Sequence, residues 1–122
     1  MDSILISIKA MLGISKDYNA FDAVIVMHIN SVFMNLNQIG VGPAKGFSII
    51  DDADKWSDFI SEDSQKFESV KSYVYLKVKL LFDPPLNSSI IESMKQQVNE
   101  LEWRLNVAAE DNDREEENQN GQ

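Results

Sequence analysis

The sequence predicts an all-α fold: a small bundle of about five helices with a long C-terminal helix and an acidic, disordered tail. Over most of the chain, apolar residues recur at spacings of three and four. Pro84 and Pro85 stop one such pattern before the next begins. No apolar residue follows Ala109. The chain has 122 residues, enough for one domain, so we assign residues 1–108 to a helical domain and residues 109–122 to a flexible tail.

The first two helices are predicted from their apolar stripes and end signals. Residues 2–12 form a short amphipathic helix, with Asp2 near its start and Gly13 just past its end. Asn19 is expected to cap a second helix, which Gly40 ends. The apolar stripe of this second helix consists of Phe21, Ile25, His28, Ile29, Val32, Leu36 and Ile39.

The middle of the chain predicts a loop and a short helix. Residues 40–46 contain three glycines and a proline, which is typical of a loop with fixed turns. Residues 47–50 are compatible with a brief extended segment. An aspartate at position 51, 52 or 54 is expected to cap a short third helix. The side chains that this helix buries are Trp56, Phe59 and Ile60.

Residues 64–82 carry two competing patterns. Apolar and polar residues alternate from Tyr73 to Leu80, which is typical of a strand. The same segment also satisfies helical spacing through Phe67, Val70, Val74, Val78 and Leu81. We predict a helix, because the run is long and no other segment of the chain is a good strand partner.

The last helix has a defined start and a long apolar stripe. Ser89 and Glu92 fit a capping box, in which each side chain accepts a hydrogen bond from the other residue's free backbone N–H. The stripe then follows alternating steps of three and four, a pattern that favours packing along another helix. Its members are Ile91, Met94, Val98, Leu101, Leu105 and Ala108.

Composition and charge exclude several classes of function. The chain has no cysteine, which excludes disulfides and thiolate metal sites and is compatible with a reducing compartment such as a bacterial cytoplasm. The apolar start has no basic segment before it, and no run reaches the length of a membrane span. The net charge is −9, of which residues 110–122 carry −5 and the rest −4. This balance argues against classical nucleic-acid binding and favours basic partners.

No catalytic, metal or cofactor site is predicted. His28 is the one histidine in the sequence, and we interpret it as structural because no second group of a dyad accompanies it. The aspartates of residues 51–63 lack the ligand order and central glycine of a calcium loop, so we assign most of them to helix caps. The glycines of residues 40–46 follow a helix rather than a strand and do not form a phosphate-binding loop.

The candidate interface residues are Trp103, Arg104, Leu105, Tyr73, Tyr75 and Lys77. Trp103 lies on the opposite side of the last helix from the apolar stripe, so it either contacts a partner or is partly buried under the first helix. The aromatic and lysine residues of 73–79 could stack on single-stranded nucleic acid. The acidic total favours instead a solvated or subunit-facing side. Glu100 and Arg104 fit a surface ion pair.

Four stretches carry a resemblance to a known family. They are Met27-His28-Ile29-Asn30-Ser31-Val32-Phe33, Gly40-Val41-Gly42-Pro43, Tyr73-Val74-Tyr75-Leu76-Lys77 and Leu81-Phe82-Asp83-Pro84-Pro85. With them, the chain from about Phe21 to Leu105 resembles the head-tail connector (adaptor, head-completion) proteins of tailed phages. The resemblance also implies a helix at residues 64–82.

The resemblance implies a structural protein of the virion without an enzymatic activity. Subunits of this family form a ring, a dodecamer, between the portal and a stopper or tail-completion protein. The ring extends the DNA channel, and DNA passes through it without sequence-specific binding. Neither a cofactor nor a membrane is implied. The C-terminal helix would reach the portal, where Trp103, Arg104 and the tail after Ala108 would dock.

Two other classes of function remain open from the residues alone. An acidic protein can mimic DNA and inhibit a nucleic-acid-processing enzyme, although a charge of −4 outside the tail is weak for this role. An enzyme would need a catalytic partner for His28 or a convergent carboxylate pair, and the sequence offers neither. Oligomeric state separates the first class from a connector, because a mimic acts as a monomer or dimer.

Overall fold

The computed structural model describes the backbone of residues 2–120 and the side chains of residues 2–110. Within these residues the chain forms five helices and no β-strand, so the prediction of a small all-α bundle is confirmed. No helix in this part of the chain is long and apolar enough to cross a membrane. The helices are α1 (Ile4–Met11), α2 (Asp22–Gln38), α3 (Trp56–Phe59), α4 (Phe67–Phe82) and α5 (Ser88–Asn120).

Helix α4 is the centre of the bundle. It packs against α2 and against α5, while α1 contacts both α2 and α4. Helices α2 and α5 make no extensive contact with each other, and they approach at Gly40 and Ala109. The largest fully buried side chains are Trp56, Tyr73, Lys9, Phe33, Ile4, Ile8, Ile25, Ile29 and Leu36. The core is therefore built on α4 by elements from the whole chain.

The short helix α3 joins the N-terminus to the core. The indole Nε1 of Trp56 donates to Ser7 Oγ at 2.8 Å, and the ring is fully buried. Ser3 caps α1 by accepting from the Ile6 N–H at 3.2 Å, so the cap is Ser3 rather than the nearby Asp2. A single antiparallel bridge pairs Ser3 with Lys55. Burial of the large indole ring makes α3 a fixed part of the core despite its length.

The predicted caps of α2 and α3 are wrong. Asn19 does not cap α2 with its side chain; its carbonyl accepts from the Asp22 N–H, and the helix begins without a side-chain cap. Asp58, inside α3, accepts from the Lys55 N–H at 3.0 Å. Asp54 instead closes the preceding turn by accepting from the N–H groups of residues 50 and 51. Aspartates serve turns as readily as helix starts, so composition alone does not choose between them.

The segment 47–50 is not a strand, although one of its residues forms two backbone hydrogen bonds of the kind that a neighbouring strand would supply. Asn30 Nδ2 donates to the Ile49 carbonyl at 3.0 Å, and the Ile49 N–H donates to Asn30 Oδ1 at 2.7 Å. One side-chain amide thus replaces a neighbouring strand. These two bonds satisfy the backbone of a residue whose side chain is 2% exposed.

The glycines after α2 have the conformation that the sequence predicts. Gly40 has φ +87°, and the Val41 N–H donates to the Leu36 carbonyl, which ends the helix. Gly42 has φ +90° and lies against the ring of Phe59. A Cβ at this position would be 2.3 Å from Phe59 Cε1, so only glycine fits.

Helix α4 confirms the choice of a helix over a strand, but more of its surface is buried than predicted. Besides the apolar stripe, Tyr73 and Leu76 are buried. Leu81, which the stripe includes, is 51% exposed. Because α4 packs against α2 on one side and α5 on the other, it buries apolar residues on two sides. These additional buried residues give the segment the alternating pattern that is typical of a strand.

Helix α5 begins at a different cap from the predicted one and extends further. Asn87 Oδ1 accepts from the N–H groups of Ser89 and Ile90, so the cap is Asn87 and the predicted capping box is wrong. Val98 and Leu105 of the predicted stripe are buried, whereas at its end Ala109 is buried and the predicted Ala108 is only partly buried. The helix backbone runs to Asn120. The side chains of the acidic segment lie outside the described residues, and the flexibility of residues 109–122 stays a prediction.

Candidate interaction surfaces

Two of the six candidate interface residues lie in the core of the single chain. Tyr73 is fully buried and Leu105 is 2% exposed. The Tyr73 hydroxyl donates to Glu102 Oε2 at 2.9 Å, which ties α4 to α5. Burial raises the pKa of the Tyr73 phenol far above its ordinary value, and the hydrogen bond to Glu102 and its charge raise the pKa further. Tyr73 therefore remains a neutral donor that orients α5.

Trp103 and Arg104 are exposed on the outer side of α5. Trp103 is 66% exposed, so the alternative of burial under the first helix does not apply to the single chain. Arg104 forms an ion pair with Glu100 one turn earlier, as predicted. A groove of 490 Å³ along the seam between α4 and α5 has Arg104 on its edge, together with Lys66 from the start of α4. Trp103 and Arg104 are thus both accessible to a partner, Arg104 together with the Glu100 carboxylate that it pairs with.

Tyr75 and Lys77 lie between core and solvent. Tyr75 is partly buried and packs against the core. Lys77 places its Nζ 5.7 Å from the centroid of the Tyr73 ring, a cation–π distance. Their side chains follow the surface of α4, and only part of each is accessible. As contacts to a partner, all six residues remain a prediction, and exposure favours Trp103 and Arg104.

The outer face of α2 is an exposed surface that the six candidate interface residues do not include. Val24, Met27 and Met34 are 43%, 60% and 65% exposed. With the exposed Ser31 and Gln38 they follow steps of three, four, three and four along one side of the helix. We call this stripe the α2 outer face. Three of its five positions are apolar, and this partial periodicity is visible in the sequence beside the buried stripe.

Charge is absent from the α2 outer face. After Asp22, helix α2 contains neither Lys, Arg, Asp nor Glu, although 25% of the chain is charged. Solvated helix faces in globular proteins are rich in charged side chains. Depletion of charge with enrichment in Met is instead typical of the centre of a protein–protein interface.

A second apolar surface lies at the end of the bundle where α2 begins and α4 ends. Phe82 contacts Phe21 with ring centroids 5.4 Å apart, and Tyr18 extends this stack. His28 is partly buried with its ring centroid 6.5 Å from that of Phe82, which agrees with a structural role. The exposed apolar side chains near the turn into α5 are Leu81, Leu86 and Ile90.

The described residues do not assemble a metal site. They contain no group of three or more His, Cys, Asp or Glu side chains that could hold a metal ion. Asp51, Asp54 and Asp58 accept hydrogen bonds from backbone N–H groups of their own turns.

Comparison with known proteins gives one match, to a family model. The family described as phage connector protein matches residues 4–112, which include all five helices up to the acidic part of α5. None of the curated proteins and none of the solved structures compared with the chain gave a match. The matched range contains the α2 outer face as well as Trp103 and Arg104.

Proposed function

Because the chain belongs to the phage connector protein family, we propose that it is a head-tail adaptor subunit. In this role it forms a ring, a dodecamer, between the portal and the stopper or tail-completion protein. The ring extends the DNA channel and remains in the virion at the head-tail junction. The subunit performs no reaction of its own. The observation that carries the proposal is the family match over residues 4–112.

The surfaces of the single chain support a ring. A cyclic assembly of identical subunits needs two different complementary patches on each subunit. This chain exposes apolar side chains on α2, on α5 and at the end of the bundle. A chain of this size buries a modest fraction of its surface alone, so association adds stability that a single core does not supply.

The charge of the chain supports passage of DNA without retention. The net charge of −9 repels phosphate groups at a channel wall and thus disfavours retention of the duplex. Reversal of acids that face the channel would accordingly slow DNA ejection, most strongly at low salt, because salt screens the interaction.

The acidic end of α5 is the proposed contact to the portal. Residues 110–122 carry −5, and long-range attraction would bring them to a basic surface. A truncation after Glu110 leaves the packed Ala109 in place and removes the contact. Replacing the acids of the same segment by their amides keeps the length and is the matched control for charge.

Assembly is the experiment that tests the function. The protein is measured alone and mixed with the portal of the same phage, by light scattering for mass and by negative-stain microscopy for shape. A ring, or a cap on the portal, supports the proposal, and loss of the cap in both tail variants supports the portal contact. A protein that stays monomeric and does not bind the portal would refute the proposal. If such a protein bound a DNA-processing enzyme, the mimic function would replace it.

A further inference from the structure

We infer that the α2 outer face of one subunit receives the Trp103 side of α5 from a second copy of this chain. The inference rests on the proposed ring and assigns the two surfaces that form its repeated contact. Within it, Trp103 is the anchor and the uncharged face of α2, with Met27 and Met34, is the receiving surface.

The first step is the placement of the two surfaces. Helix α4 lies between α2 and α5: Phe82 contacts Phe21, the residue just before α2, whereas Tyr73 contacts Glu102 of α5. Helices α2 and α5 lack extensive contact with each other. Their outer faces thus belong to different flanks of one subunit, as a head-to-tail contact that closes into a ring requires.

The second step is the chemistry of the receiving face. Val24, Met27 and Met34 together leave on the order of 300 Å² of apolar surface in water, which is the lower end of the range for the largest apolar patch of a monomer, a patch that is often functional. Methionine side chains are flexible and contact aromatic rings favourably through their sulfur atoms. The face carries no charge that a partner would have to desolvate.

The third step is the chemistry of the anchor. Trp103 is the most exposed large apolar side chain of α5 among the described residues. Tryptophan is the residue type most enriched among side chains that dominate binding energy, and such anchors fill apolar sites that exclude water. Around Trp103 the outer side of α5 is polar, with Asn99, Glu100 and Asn106 exposed. One aromatic anchor with a polar rim is the usual complement of an apolar, uncharged face.

Mixed disulfide trapping tests the contact directly, because the natural chain contains no cysteine. Met34→Cys and Trp103→Cys variants are prepared separately, mixed and mildly oxidised at high protein concentration. We expect the mixed pair to cross-link at least tenfold more than either variant alone. Ile50→Cys, at an 84% exposed apolar position in the loop before α3 and outside both proposed faces, is the control partner. Efficient cross-linking of Met34→Cys with itself would instead indicate a two-fold contact and overturn the inference.

Charge insertion tests the same contact in the assembled protein. Met27→Asp/Met34→Asp and Trp103→Asp should each reduce the assembled fraction at least tenfold, whereas Ile50→Asp should leave it unchanged. All four positions are exposed, and thermal unfolding of the monomer checks that the variants fold. If rings form normally with both sets of changes, the inference is wrong and the adaptor function stands. If Trp103→Asp abolishes portal binding and leaves rings intact, Trp103 contacts the portal instead. If the natural chain never assembles, both the function and the inference fail.

Discussion

The hydrogen bond between Tyr73 and Glu102 predicts a pH-dependent stability that a single substitution removes. Tyr73 is fully buried, and its hydroxyl donates to Glu102 Oε2 at 2.9 Å. A hydrogen bond to a charged acceptor contributes about 1.5–3 kcal/mol. Glu102 is partly exposed and regains water when its donor is lost, so we expect the lower part of this range. Tyr73→Phe should therefore lower the free energy of unfolding by about 1.5 kcal/mol at pH 7.

The same group makes the difference depend on pH. Burial and Glu102 raise the pKa of Tyr73 in the folded protein, whereas in the unfolded chain the phenol titrates near its ordinary value of about 10. The stabilisation is thus fully present below pH 10 and is lost as the pH rises through and above this value. Between the two pKa values the folded state holds one more proton, so stability falls by about 1.4 kcal/mol per pH unit.

Urea unfolding at pH 7, 9, 10 and 11 measures both effects. Because lysines and the other tyrosines also titrate in this range, the informative quantity is the difference between the natural chain and Tyr73→Phe. This difference should be about 1.5 kcal/mol up to pH 9 and should approach zero near pH 11, where the natural chain has lost about 1.4 kcal/mol from this group. Glu102→Gln and the double variant show whether the two groups are coupled. A difference that stays constant from pH 7 to pH 11 would refute a neutral, buried Tyr73.

Three further substitutions test other parts of the structure by urea unfolding at pH 7. Gly42→Ala should lower the free energy of unfolding by about 2 kcal/mol more than Gly13→Ala. Both glycines have positive φ, but only at Gly42 would the new Cβ overlap the ring of Phe59. Equal effects of the two substitutions would show that this overlap does not occur. Lys9→Met should cost about 2–3 kcal/mol, because it leaves Asp22 without the ammonium group at 2.8 Å. Lys9→Met/Asp22→Asn should recover part of that loss, and no recovery would show that packing of the lysine stem dominates. Asn30→Ala should cost about 2 kcal/mol by removing both bonds to Ile49, and a cost near zero would mean that water replaces the amide.

The sequence predicts the helices well and their ends less well, for a physical reason. Apolar periodicity is spread over many residues, so α2, α4 and α5 are recognised even if single positions are misread. A cap depends on one side chain, and several neighbours compete for it. Ser89 and Asn87 both suit the start of α5, and only the path of the preceding turn gives the role to Asn87. The sequence does not show that the Asn30 side chain pairs with the backbone of Ile49, because the two residues are 19 positions apart.

The sequence predicts an exposed interface residue only where that residue lies outside the apolar stripe of its own helix. Trp103 stands out because the apolar stripe of α5 already occupies the other side. For Tyr73 and Leu105 the sequence gives no such signal. Burial of Tyr73 depends on a partner for its hydroxyl, and that partner, Glu102, belongs to a different helix. Periodicity chooses the more apolar of the two stripes on α2 as the buried one, and Ile25, Ile29, Val32 and Leu36 are fully buried. It does not show what the opposite stripe contacts, and α4, which packs on the buried side, leaves that uncharged, Met-containing face in solvent. A protein that folded only as a monomer would gain solubility from charges on this face. The lack of charges there supports the contact between subunits that we infer for this face.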